Sequence, residues 1–297
     1  MSPMTRRASL PCALALLALA PAASAQELEK AHAVILSGGA TAEAGKAALA
    51  AARPSPLVKL REGHPRLVES ATVKGLKAGF HVVLAGVCRS KDDATAARDV
   101  INLASGSGTY VREVQVPRDW LESCPTLQAL TPSAGKVLKR AVIDDGAPTV
   151  RWVLRKQATG GGCSAFELGV EAGEKLILKK DFADDGCTAG VNIRKRHELT
   201  IASVGGGSFA RVVERSDWHD NGTRLESLLD FACNELREVL DLGDLFNTVE
   251  AIASVEGAPG RSRLRLTWNR RPCANCAPSG DLVYQRTADG CRFEEAK

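Results

Sequence analysis

The sequence predicts an α+β protein in two parts. The first is an N-terminal split βαβ domain of order βαββαβ; the second is a β-rich, antiparallel, disulfide-stabilised domain with one clear helix. Three observations carry this. The stretch Val34-Ile35-Leu36-Ser37-Gly38, followed by a polar break and an alanine-rich run, returns about 48 residues later as Val82-Val83-Leu84-Ala85-Gly86 before a second such run. Beyond residue 148, short alternating apolar runs are separated by glycine-rich turns. Within that second part, Leu225, Leu228, Leu229 and Leu236 recur at helical spacing.

Ahead of both parts, residues 1–25 read as a secretory signal peptide. Arg6 and Arg7 form a charged start, 12–20 is an apolar run too short to span a bilayer, and Ala23-Ser24-Ala25 fits a cleavage site before Gln26. The chain has nine cysteines, and loss of Cys12 with this segment leaves an even number. In an exported chain that points to as many as four disulfides and to a periplasmic or extracellular address. This argues against a cytosolic NTP-driven enzyme or a transcription factor. The content of 44% apolar and 25% charged residues is that of an ordinary globular protein, and a net charge of +4 implies no nucleic-acid partner. No later run is long and apolar enough for a transmembrane segment.

The domain at 31–117 follows element by element. Each repeat copy reads strand, turn, helix. Thr41 and Ser90 are N-cap residues whose hydroxyls can accept from orphan amides of the first turn, and Asp93 sits where a carboxylate completes a capping box. Between the copies 66–73 has extended character. After the second helix, 109–116 is a β-branched run closed by Pro117. The expected product is a four-stranded sheet with two helices on one face.

At these residues the chain resembles the SPOR (sporulation-related repeat) family. The likeness rests on Val34-Ile35-Leu36-Ser37-Gly38, on Val82-Val83-Leu84-Ala85-Gly86 before Ser90-Lys91-Asp92-Asp93-Ala94, and on Tyr110-Val111-Arg112. It covers about a third of the chain. The resemblance implies a ferredoxin-like topology in a bacterial envelope protein that binds peptidoglycan glycan strands, stripped of stem peptides, across the helix-free sheet face. If Val34, Leu36, Val82 and Leu84 pack on the helices, that face receives Ile35, Ser37, His81, Val83 and Ala85. Sugar contacts would then come from His81, Tyr110 and Arg112. A face this apolar is also a candidate for cover by another part of the protein.

Residues 118–148 read as a transition with room for a short helix in 127–143. The second domain, 149–297, then offers strands at 149–155, 165–170, 175–180, 190–196, 198–204 and 208–214, a helix over 225–240, and strands at 248–255, 261–268 and 282–286. Neighbourhood suggests the disulfides Cys88 with Cys124 and Cys163 with Cys187. It leaves Cys233, Cys273, Cys276 and Cys291 with three possible connectivities.

Motifs for chemistry are few. Cys273-Ala274-Asn275-Cys276 lies between prolines, which suits a structural disulfide better than a redox couple or zinc site. Asp217-Trp218-His219-Asp220 reads as a polar loop, although a secreted hydrolase would place its site near His219. Asp144-Asp145-Gly146 and Asp184-Asp185-Gly186 read as turns. Arg261, Arg263 and Arg265 share one strand face and could contact an anionic wall polymer. No metal or cofactor is implied. The function expected is a non-catalytic envelope binding protein whose partner is peptidoglycan or another envelope polymer or protein. The alternatives are the hydrolase, or a structural protein whose sheet face is buried by its own second domain.

Overall fold

The computed structural model describes residues 27–105, 108–158, 164–182, 197–204, 209–216, 223–230, 235–244, 248–256, 263–270, 280–287 and 293–296. The protein is mixed α/β, with mostly antiparallel strands, few helices and one disulfide among the described residues. In chain order the first half holds β1 (Leu28–Gly39), α1 (Ala42–Ala51), β2 (Val58–Lys59), β3 (Arg66–Glu69), β4 (His81–Cys88), α2 (Lys91–Ser105) and β5 (Tyr110–Pro117). A 3-10 turn at Arg118–Ser123 and the short β6 (Thr126–Leu127) follow. Strands β3, β4, β1 and β5 make one antiparallel sheet in that spatial order, and β2 pairs with β6.

Local chemistry accounts for the helix starts. The Thr41 hydroxyl accepts from the Ala44 amide at 3.2 Å. The Ser90 hydroxyl accepts from the amides of Asp92 and Asp93 at 3.1 and 3.4 Å, satisfying orphan donors of α2. Alternation along β1 sends Val34 and Leu36 to the helices and Ala31, Ala33 and Ile35 to the other face. On β4 the parity is the reverse of the expected one. Val83 and Ala85 join the helix-side core, whereas Val82 and Leu84 face away from it.

The second half is built from three four-stranded antiparallel sheets, each a run of consecutive strands. The first contains β7 (Lys136–Val142), β8 (Val150–Ala158), β9 (Ser164–Ala172) and β10 (Lys175–Phe182). The next contains β11 (His197–Val204), β12 (Phe209–Ser216), β13 (Thr223–Asp230) and β14 (Arg237–Asp244). The last contains β15 (Thr248–Glu256), β16 (Arg263–Arg270), β17 (Gly280–Arg286) and β18 (Phe293–Glu295). The opening strands meet: β11 lies against β7 and against β15.

Two expectations are corrected. The helix over 225–240 is absent, and β13 and β14 pair there with Leu228 opposite Leu240 and Leu229 opposite Glu238. Leucine and glutamate at spacings of three and four favour a helix locally. Hydrogen bonding of β13 to both β12 and β14, with Leu229 fully buried, overrides that propensity. The short helix in 127–143 is replaced by β7, which pairs with β8.

One core joins the halves. Ala94, Ala97, Val100 and Ile101 of α2 lie in the same buried cluster as Val34 and Leu36 on one side and Val150, Trp152, Leu168 and Val170 on the other. Asp99, fully buried, locks this junction: its carboxylate accepts from the Thr149 hydroxyl at 2.6 Å and the Thr149 amide at 3.2 Å, and pairs with Arg98. Helix α2 is thus covered by the β7–β10 sheet.

Candidate functional site

The helix-free face of the first sheet is largely closed by the chain itself. Ala31, Ala33, Ile35, Val82, Leu84, Val87, Val114 and Val116 are buried there beneath Val73, Leu76, Trp120 and Leu121. Two segments supply this cover, and each is tied down by hydrogen bonds.

The loop from β3 to β4 is closed by the Ser70 amide donating to the Phe80 carbonyl (2.8 Å) and the Phe80 amide donating to the Ser70 hydroxyl (3.0 Å). It is held to β5 by the Gln115 amide donating to the Lys74 carbonyl at 2.8 Å. Gly75, at φ +104°, permits the approach. A Cβ there would lie 2.7 Å from the Glu113 carbonyl oxygen.

The second cover, 118–124, is a strap. The Val87 amide donates to the Ser123 hydroxyl (3.1 Å), which donates to the Trp120 carbonyl (2.6 Å). Cys124 is bonded to Cys88. Arg66 lies over the Trp120 ring at 3.9 Å. Beside it both nitrogens of His64 are buried without a hydrogen-bond partner. Burial first, then the positive charges of Arg66 and Arg61, hold its pKa below the usual histidine value.

At one end of the face the cover stops and leaves an open pocket of about 200 Å³. Leu76 and Val82 form its apolar lining, and Phe80 and Tyr110, each 39% exposed, stand at its edges. Each ring carries a cation: Arg112 lies 5.4 Å from the Tyr110 centroid and Lys77 lies 5.8 Å from that of Phe80. Neither cation forms an ion pair with a carboxylate among the described residues, and the neighbouring Glu113 is taken by Lys30 at 2.9 Å. Phe80 and Lys77 were not anticipated from sequence.

Of the three residues expected to touch sugar, the structure brings together Tyr110 and Arg112 and leaves His81 apart. A Cβ on Gly45 of α1 would lie 2.6 Å from the His81 Cβ, so His81 sits on the helix side of the sheet. Of the arginine row, Arg263 is exposed and faces Glu256 and Gln285 across the ladder, and Arg265 is partly buried between Ser254 and Val283. Arg261 lies outside the described residues, as do residues 1–26, 190–196, 217–220, Cys163, Cys187, Cys233, Cys273, Cys276 and Cys291.

Two other constellations stand out. On the face of the β7–β10 sheet away from α2, Arg155 bridges Glu167 (3.0 Å) and Glu171 (2.5 Å), and Arg140 pairs with Glu171 at 2.9 Å. Ser133, on the segment before β7, donates its amide (2.9 Å) and hydroxyl (2.5 Å) to Glu167. Burial would raise the Glu167 pKa, but the Ser133 and Arg155 hydrogen bonds outweigh it and the pKa is lowered. Every group here is partnered, so the cluster fixes structure and offers no open acid or base. The larger groove, about 690 Å³ between the start of α2 and Thr149, Arg151 and Lys175, is lined by both signs of charge, with Lys175 3.8 Å from Asp93.

At Asp144-Asp145-Gly146 the Gly146 amide donates to the Asp144 carboxylate at 2.7 Å, the local bond of a turn. Among the described residues no group of histidine, cysteine and acidic side chains is arranged to hold a metal, and no helix is long and apolar enough to cross a membrane. Comparison with known proteins finds no matching family model, no matching curated protein and no matching solved structure.

Proposed function

We propose that this chain is an exported, non-catalytic binding protein of a bacterial envelope that holds glycan strands of peptidoglycan through its N-terminal domain. The observation that carries the reading is the pocket at Phe80 and Tyr110, where two exposed rings face open space above an apolar lining. Aromatic faces suit the CH faces of sugar rings, and the cations beside them suit polar substituents. The spatial order β3-β4-β1-β5, antiparallel with both helices on one side, supports a SPOR-like, split βαβ identity for 31–117. The bond between Cys88 and Cys124 is compatible with an oxidising compartment.

The self-covered face changes how such a domain would work. The family resemblance would put the glycan along the whole sheet, whereas here 73–80 and 118–124 occupy most of it. Contact is therefore confined to the open end. The same cover favours a second reading, a structural protein whose apolar sheet face is closed by its own chain and whose partners meet it elsewhere.

A pulldown on purified sacculi, with and without amidase treatment, separates the two. The binding reading expects retention that rises when stem peptides are removed and falls at least tenfold in Tyr110→Ala. Equal absence of retention from both preparations leaves only the structural reading.

A further inference from the structure

We infer that residues 61–66 form a clasp on the strap at 118–124 that acid releases, and that protonation of His64 is what opens it. The inference stands on the contacts around the strap and holds whatever the chain binds. The 61–66 segment grips the strap at three points. Arg61 pairs with Glu122 at 3.3 Å and donates to the Asp119 carbonyl at 3.5 Å, and Arg66 lies over the Trp120 ring at 3.9 Å. His64 lies between those two arginines in the chain, held in a turn by its own amide, which donates to the Arg61 carbonyl at 3.0 Å.

The imidazole is badly placed to take a proton. Both ring nitrogens are buried without a hydrogen-bond partner, so a charge there would be neither solvated nor paired. The charged groups that bear on it are Arg66 and Arg61, both positive and both part of the grip, while the Glu62 backbone pulls the other way. The carboxylates of the strap give no relief: Glu122 is taken by Arg61, and Asp119 acts on Arg66. Neutral His64 therefore suits the closed clasp, and the imidazolium does not. The folded pKa lies below the unfolded value, so closure is complete at neutral pH and weakens as pH falls below the ordinary histidine value of about 6.5.

The strap can lift only as a loop, because both of its ends are fixed. Pro117 lies opposite Leu28 in the first sheet, and Cys124 is bonded to Cys88. Release would carry Trp120 and Leu121 off the sheet and uncover part of the apolar face beneath them. The two tethers keep the strap beside its seat, so it returns when the proton leaves.

The test is amide hydrogen exchange of the full chain, read by mass spectrometry at pH 7.5, 6.5 and 5.5 and corrected for the intrinsic pH dependence of exchange. Protection of 118–123 should fall about fivefold between pH 7.5 and 5.5, return when the pH is restored, and stay level in His64→Phe. His64→Gln, smaller and equally uncharged, should give the same level profile, and circular dichroism checks the fold of both variants. Protection that does not change with pH in the unaltered chain overturns the inference without recourse to any variant. A fall that persists in a folded, uncharged variant also overturns it, because another group then drives the opening. An equal fall across α2 and the β7–β10 sheet does the same, since acid is then loosening the whole molecule and not the clasp.

Discussion

Arg155 and Arg112 are the same residue put to opposite uses. Arg155, with a side chain only 9% exposed, is clamped between Glu167 and Glu171 on a sheet face closed by Ser133 and its neighbours. Arg112 stands in the open, touches no described carboxylate, and leans over a tyrosine. A buried charge is tolerable only when it is paired, so the first arginine is part of the architecture. An exposed charge has no such obligation. When the fold leaves it unpaired beside an apolar cleft, stability asks little of it.

The contrast can be broken by substitution. Arg155→Ala strands Glu167, a fully buried carboxylate, and should cost about 3–5 kcal/mol in urea unfolding. A loss under about 1 kcal/mol would mean that Lys179 and Ser133 suffice, and that the cluster is not the structural counterweight to the pocket. Replacing Cys88 and Cys124 together by alanine should cost about 2–4 kcal/mol. It should also raise dye binding by apolar surface, because the strap bearing Trp120 and Leu121 loses its tether. Unchanged dye binding would show that hydrogen bonds at Ser123 hold the strap alone.

Acid sharpens the comparison further. The pKa of Glu167 is lowered on folding despite burial, so its contribution is complete above the unfolded carboxylate value and is lost as pH falls through the folded one. Stability should drop between about pH 5 and 3, and Glu167→Gln should flatten that slope even as it lowers stability at pH 7. The smallest stability effect belongs to the pocket: Lys77→Ala and Arg112→Ala should each change unfolding free energy by no more than about 0.5 kcal/mol while lowering retention on sacculi. A large stability loss at either position would make it architectural too.

How much of this was legible follows from the kind of signal each element carries. Thr41 and Ser90 announce their helices because capping is local chemistry, and they cap as expected. The pairing of Cys88 with Cys124 was readable because Cys88 ends a predicted strand and Cys124 follows just beyond the last strand of the first domain. The placement of His81 was not. His81-Val82-Val83-Leu84-Ala85 has no polar alternation to show which residues face the helices, and a strand misread by one residue exchanges its two faces. Phe80 and Lys77 lay between the extended run at 66–73 and the second repeat copy, where no pattern assigned them a role; the available hint was a lone phenylalanine beside Gly79. β13 and β14 were hidden because a leucine pattern at helical spacing cannot report the strands that later pair with it. Where the fold is decided by distant partners, the local sequence speaks for the wrong structure.

The central strand carries one more consequence, for the order in which the molecule can be made. β1 is twelve residues long and among the described residues is the one strand that pairs with both β4 and β5, so the first sheet cannot begin to close until its third strand has been made and cannot finish until residue 117 has followed. A chain delivered N-terminus first therefore holds out an apolar ribbon with both hydrogen-bonding edges empty while its partners are still missing. That interval is when β1 is most open to pairing with a neighbour's copy.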